Sequence, residues 1–341
     1  MNDFFQATRD FLLKYLPHQR CLSENTIRSY KQVLNLFTTY LRKIKGYPVN
    51  KIQFSLLDRD TILGFLEWIE SERKCGATTR NHRLMVLRSF FDYAGKSDCT
   101  QVALYLEALD IPVKKTQSRI VDFLSEPALA ALLQQPNAST KKGLRDMTFM
   151  VLMYDTAARC DELLSMRVDA LRLDIQKPVA YLHGKGNKQR VVPLMSRTVQ
   201  HCKRYIDEFH TTKKQGEDAL LFYTTSHGEC HKMSADNVAA FFKKYGRVAQ
   251  SVCADFPSHI HPHMLRHTRA MHLYRGGMSL DMLSQFLGHA DMETTRIYAY
   301  ADTEMKREAI AKLDKGRNIP EQTEEIWADN DEMILALAGL C

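Results

Sequence analysis

The sequence predicts a mainly α-helical protein with a small antiparallel sheet: an N-terminal helical bundle followed by an α+β domain. Three observations carry that prediction. Apolar residues recur at helical spacing through most of residues 1–94. Three short strand-like runs cluster between positions 168 and 194, two of them joined by a Gly-rich turn. The chain has 341 residues and a mass of 39.3 kDa, more than one hydrophobic core usually serves, so two domains are expected.

In the first domain, placed at residues 1–110, Phe4, Phe5, Phe11, Leu12, Tyr15 and Leu16 give an amphipathic segment. Ser23 can cap a second helix bearing Ile27, Tyr30, Leu34, Phe37 and Leu41. Asp58 opens a third, with Ile62, Phe65, Leu66 and Ile69 on one face. A fourth is expected from about Thr78 to Tyr93, with Leu84, Leu87, Phe90 and Phe91 inside. Its Arg80, His82, Arg83 and Arg88 are expected outside, as candidates for a DNA groove or simply a solvated face. Residues 95–120 show a weaker pattern. Ile111-Pro112-Val113-Lys114-Lys115 reads as linker, placed at 111–120, with Lys114 and Lys115 in water as candidate DNA contacts.

The second domain is placed at 121–316. Ser125-Glu126-Pro127 starts an apolar helix, and another runs from about Leu144 to Tyr154. Strands are expected over Val168–Leu173, Val179–His183 and Arg190–Leu194, with Gly184-Lys185-Gly186-Asn187-Lys188 turning between the last two. Helices resume over Val199–Phe209, over Ser234–Gln250 and from Pro262 onwards. A tail at 317–341 is acidic and ends in a short apolar helix beginning at Asp331.

Composition narrows the function. With 45% hydrophobic and 26% charged residues the chain is neither disordered nor fibrous. Its apolar runs, such as Ala128 to Leu133, fall far short of the roughly 18 residues that span a bilayer. Asp3, Arg9 and Asp10 near the start, without a small-residue cleavage site, argue against a signal peptide and for a cytoplasmic, nucleoid-associated protein. The eight cysteines contain no C-x-x-C pair and read as reduced thiols. Residues 318–341 hold six acids and no Lys or Arg, which leaves 47 bases against 34 acids in the first 317 residues. A body of net charge +13 fits a polyanion, nucleic acid first, although a solvated basic face has the same charge.

Five segments of the second domain carry the chemistry. They are Ala158-Arg159-Cys160-Asp161-Glu162-Leu163, the turn Gly184 to Arg190, His263-Met264-Leu265-Arg266-His267, Leu287-Gly288-His289, and Thr294-Thr295-Arg296-Ile297-Tyr298. Each alone is commonplace: a local ion pair, a solvated Lys, a His and an Arg sharing a helix face, a core Tyr. In this order the set resembles the tyrosine recombinase (phage integrase-like) family, most closely its Xer-like members. The resemblance spans nearly the whole chain.

The resemblance implies an N-terminal core-binding domain and a catalytic domain over about 119–316. It implies catalytic roles for Arg159, Lys185, His263, Arg266, His289 and the nucleophile Tyr298, with Glu162 orienting Arg159. It further implies site-specific recombination of double-stranded DNA through a 3′-phosphotyrosine and a Holliday junction, serving either integration of a mobile element or resolution. The tail resembles a device that packs into a neighbouring protomer of a homo-tetramer on DNA; folding back on its own domain is the alternative. One departure stands out: the family usually has Gly two residues before the first Arg, and Ala157 is there.

These residue types suit the task. Two guanidiniums can grip the oxygens of a phosphodiester in bidentate fashion and stay charged at any cellular pH. Such preorganised cations can replace a metal as the stabiliser of growing charge. A phenol of pKa roughly 10 needs a base or a positive field to attack, and His263 is the candidate base. Lys185 can protonate the leaving 5′-oxygen, and His289 can hold the phosphate. One ester replaces another, so no nucleotide cofactor is called for. That agrees with Phe90 where a phosphate-binding loop ending at Gly95-Lys96-Ser97 would need Gly.

Rivals remain. Tyr300 lies two residues beyond Tyr298, and Lys188 three beyond Lys185, the latter also a candidate phosphate contact. His263 and His267 at i and i+4 could bind zinc, but Met264 stands where a helical zinc motif wants Glu, so no metal is expected. Cys160 reads as a passive thiol. A type IB topoisomerase-like enzyme and a catalytically silent DNA-binding accessory protein are the alternative functions.

Overall fold

The computed structural model describes residues 3–116, 121–184, 188–210, 219–227, 229–289, 291–301, 307, 331–337 and 339. The chain divides into two units, Met1–Ser118 and Arg119–Cys341. No helix of the described residues is long and apolar enough to cross a membrane.

The first unit is helical. Helix α1 (Asp3–Asp10) runs on as a π-helical stretch over Phe11–Gln19, followed by α2 (Glu24–Lys43), α3 (Arg59–Ser71), α4 (Ala77–Ser97) and α5 (Val102–Asp110). The caps are the ones expected from sequence. Ser23 Oγ accepts from the Thr26 amide, and Asp58 accepts from the Thr61 amide at 2.7 Å. Phe4, Phe11, Phe37, Phe65, Phe90 and Phe91 form an aromatic core with edge-to-face and tilted contacts.

Helix α5 falls in the stretch whose pattern is weak. Its C-terminal carbonyls are closed by a residue from another helix. Arg88 donates from Nε to the Ala108 carbonyl and from Nη2 to that of Leu109, each at 2.9 Å, and Nη2 also reaches Ile111. The expectation that α4 turns its arginines outward is therefore corrected. Arg80 is only 5% exposed and donates to the Pro112 carbonyl at 3.1 Å, with Glu70 3.7 Å away. Arg83 reaches Cys75 Sγ, and the exposed His82 meets Ser29 Oγ at 3.0 Å. Lys114 is anchored twice, its ammonium on Glu70 at 2.8 Å and its backbone on Asn81, whereas Lys115 is exposed.

The second unit opens with α6 (Glu126–Leu133), capped by Ser125, then α7 (Lys141–Thr156) and the short α8 (Cys160–Leu164). Strands β1 (Leu171–Arg172), β2 (Val179–His183) and β3 (Gln189–Pro193) form an antiparallel sheet in that order, with Tyr181 opposite Val191 and His183 opposite Gln189. The first strand starts later than expected because Val168–Ala170 make a 3₁₀ turn. Helix α9 (Ser196–Phe209) leads to a second hairpin, β4 (Tyr223–Ser226) and β5 (Glu229–Lys232), which has no strong sequence signal: every residue of β5 is exposed. Then come α10 (Ala235–Val252), α11 (Pro262–Arg275), α12 (Leu280–Leu287) and α13 (Glu293–Ala301). A further helix covers Asp331–Leu337 of the tail. Phe149, Phe222, Phe242 and Leu265 lie in the main core, while Ala157, Met271, Leu283, Leu287 and Tyr298 make a second cluster.

Candidate active site

The site is built where α7 ends. Ala157 takes the left-handed conformation (φ 48°, ψ 32°) and reverses the chain, so that Arg159 enters α8 as its extended N-cap. Glu162, in the first turn of α8, accepts the Arg159 amide at 2.9 Å and the Arg159 guanidinium at 2.8 Å. The same carboxylate takes Arg190 of β3 in bidentate fashion, Nη1 at 3.0 Å and Nη2 at 2.7 Å. Burial pushes Glu162 up, but Arg190 and Arg159 together outweigh it and hold the carboxyl below the usual range.

Arg190 also fixes the next element. Helix α12 ends on Gly288 (φ 64°), where a Cβ would stand 3.1 Å from Arg190 Cδ. Only Gly combines that backbone with that approach. The following His289 is then held by Thr295 of α13, Nδ1 to Oγ1 at 2.8 Å.

Arg266 on α11 is 1% exposed and joins both chain reversals. Nη1 donates to the Ala157 carbonyl and Nη2 to the Leu287 carbonyl, each at 2.7 Å. Burial brings it down to about 10, with Arg159 and Arg190 adding repulsion, so it stays charged at neutral pH.

Tyr298 of α13 is 1% exposed and packs in the cluster with Ala157, Met271 and Leu287. Its hydroxyl pairs with His267 Nδ1 at 2.9 Å. Burial raises the phenol to about 12, opposed by the fields of Arg266 and Arg159. Tyr300 is 72% exposed. His263 lies one turn before His267, with ring centroids 4.6 Å apart and planes at 88°, and keeps an edge in solvent. Desolvation and neighbouring cations bring His263, His267 and His289 each down to about 4.

Arg159 and Arg266 lie near enough to His263, His289 and Tyr298 for the fields of both guanidiniums to reach all three. Lys185 lies outside the described residues, and Lys188 at the end of its turn is exposed. Cys160 is pushed up to about 11 by burial, a thiol and not a thiolate at neutral pH. Among the described residues no three His, Cys, Asp or Glu side chains gather so as to hold a metal ion.

Sequence reasoning missed Arg190 and Thr295, and weighed His267 only as a zinc ligand. Arg190 carried a faint signal, since it lies just past the Gly-rich turn in a strand. His267 carried a clearer one, the i, i+4 spacing that puts it on the face of His263.

With this geometry in place, comparison with known proteins gives a family. Residues 122–305 match the phage integrase family, and residues 10–97 match the N-terminal SAM-like domain of phage integrases. The chain belongs to the phage integrase family of tyrosine recombinases, enzymes that cleave and rejoin DNA. This recombinase is 30% identical over 297 residues to the tyrosine recombinase XerD of Oceanobacillus iheyensis, spanning 86% of this chain and 93% of that one. Its fold is similar to that of the XerH site-specific recombinase in a post-cleavage complex with palindromic difH substrate. That match has a TM-score of 0.65 and 22% identity over 86% of this chain and 81% of the other. It is similar also to the Tn1549 transposon integrase in complex with circular intermediate DNA, at TM-score 0.65 and 17% identity over 89% and 97% of the two chains.

Proposed function

We propose that the protein is a site-specific DNA recombinase that cuts through a 3′-phosphotyrosine and exchanges strands through a Holliday junction. The observation that supports this reading is that the buried Tyr298 and His289 both lie within the fields of Arg159 and Arg266.

In this reading Arg159 and Arg266 bind the non-bridging oxygens of the scissile phosphate and stabilise the charge that grows there during attack. Arg159 is free to do so because Glu162 holds only part of its guanidinium. His289, fixed through its Nδ1, presents the other ring nitrogen to the phosphate. The Tyr298 oxygen gives up its proton to a neighbouring histidine and forms a bond to phosphorus as the bond to the 5′-oxygen breaks. Lys185 protonates that leaving oxygen. Reversal by the 5′-hydroxyl of another strand reseals DNA with no external energy source.

The partner is double-stranded DNA. The XerH structure holds its difH substrate and the Tn1549 integrase structure holds circular intermediate DNA, and the charge of this chain's first 317 residues is complementary to phosphate. Lys115 and Lys188 are exposed cations suited to phosphate contact, whereas Arg80 and Arg88 are committed inside the first unit. The assembly we propose is a homo-tetramer on DNA, joined through the tail helix, on which Leu335 is exposed.

The test is covalent capture. Wild-type protein incubated with a pool of nicked duplexes of random sequence should retain, after denaturation, DNA joined at a 3′ end, with a free 5′-hydroxyl on the other fragment. Tyr298→Phe should retain none. Relaxation of supercoiled plasmid with no sequence selected from the pool would favour the topoisomerase reading. DNA binding without any covalent product would favour the silent accessory protein.

A further inference from the structure

We infer that His267 is a catalytic residue, the base that takes the phenolic proton of Tyr298 through its Nδ1. The inference rests on the reading above and adds a group that reading does not require.

The geometry carries it. Nδ1 of His267 and the hydroxyl of Tyr298 are 2.9 Å apart, on two different helices, 31 positions apart in the chain. Among the described residues the hydroxyl has no other hydrogen-bond partner, and Tyr298 is almost wholly buried. A buried O–H must donate somewhere, or it forfeits the cost of its desolvation. Nδ1 is the acceptor at hand, which places the ring proton on Nε2 and leaves Nδ1 with the lone pair a base needs. His263, the base expected from sequence, makes no hydrogen bond with Tyr298. Its ring meets that of His267 edge-on, at 88° with centroids 4.6 Å apart.

The electrostatics fit. His267 is neutral at cellular pH, pushed down to about 4 by burial and by His263, His261, Arg266 and His289. With the phenol near 12, the proton stays on oxygen while the site is empty. An arriving phosphate brings negative charge beside the ring and raises it, while attack lowers the phenol's hold on its proton. The step then balances. The Tyr298 oxygen bonds to phosphorus, its proton moves to Nδ1, the bond to the 5′-oxygen breaks, and that oxygen takes a proton from Lys185. On resealing, the attacking 5′-hydroxyl gives its proton to Lys185, and the imidazolium returns its own to Tyr298.

The experiment uses the full-length protein and a nicked duplex that the wild type captures from the random pool. His267→Gln should lower the rate of covalent capture roughly 100-fold or more, in the range of general base catalysis. Genetic replacement of Tyr298 by a fluorinated tyrosine, which ionises more readily, should restore at least about tenfold of that rate in the His267→Gln background. A 5′-bridging sulfur, which leaves without a proton, should rescue Lys185→Ala and not His267→Gln. Capture by His267→Gln at the wild-type rate overturns the inference. So does a loss that the fluorinated tyrosine does not repair, because a merely structural role would behave that way. Rescue by bridging sulfur would make His267 an acid and overturn it too. The wild type keeps the two claims apart. If it captures a sequence selected from the pool, the proposed function stands whatever His267 does; if it captures none, that function fails and takes this inference with it.

Discussion

The guanidinium of Arg266 donates to the carbonyl of Ala157 at 2.7 Å, across 109 positions of sequence, and Ala157 sits in the left-handed region at φ 48°. The carbonyl can face α11 only because the chain reverses there. A residue with a Cβ loses about 1 kcal/mol in that conformation relative to Gly. The unusual Ala at this place in the motif is therefore tolerated, not favoured. Ala157→Gly should stabilise the protein by about 1 kcal/mol in urea denaturation and leave DNA capture intact. Ala157→Val should lose stability and capture together, because a β-branched residue resists positive φ.

Glu162 serves two arginines, so the two pairings should be separable. Arg190→Ala leaves the buried carboxylate with Arg159 alone. We expect a loss of about 2 kcal/mol, less than the ~3–5 kcal/mol of a buried pair stripped of its only partner. Capture should fall as well, since Arg159 would be drawn onto the carboxylate and Gly288 would lose the stem packed on it. Equilibrium unfolding and single-turnover capture measured on the same variant check both halves.

Much of this site was legible in the sequence, and the reasons for the rest are physical. The helices of the first unit announce themselves by apolar spacing and by Ser23 and Asp58 at their starts. Helix α5 does not, because the group that closes it, Arg88, lies on another helix. The strand pair Val179–His183 and Gln189–Pro193 shows its alternation, whereas β5 lacks any buried position to betray it. The motif residues are readable as chemical types. Which histidine meets the phenol is not, since His263 and His267 share one helix face and only the placement of α13 decides between them. Arg80 misleads for a similar reason: a charged side chain on a helix reads as exposed until the segment at Pro112 is laid across it.

Acidity should act on binding and on stability in opposite senses. His263, His267 and His289 have folded values near 4, below the ordinary histidine value of 6.5. A depressed base is neutral in the folded state, so its contribution to stability is complete above about 6.5 and is lost as pH falls from there toward about 4. The melting temperature should drop across that window. Bound phosphate favours the charged imidazoles, so DNA binding near pH 6 should take up protons and tighten as pH falls. Calorimetry in two buffers of different ionisation enthalpy checks the uptake; identical apparent heats would count against phosphate lying beside these rings.

Lys115 and Arg80 should separate binding from folding. Lys115→Ala should leave the unfolding midpoint unchanged and reduce the slope of log affinity against log salt by about 1. Arg80→Ala should destabilise the first unit, because the Pro112 carbonyl loses its donor and Glu70 a neighbouring charge. Salt titrations of DNA binding alongside thermal melts distinguish the two.

The most direct test is to digest the captured protein–DNA adduct and locate the nucleotide by mass spectrometry. The account predicts a 3′-nucleotide on Tyr298 and an unmodified Tyr300 in the same peptide. A nucleotide on Tyr300, on a histidine, or on no side chain of α13 would contradict it.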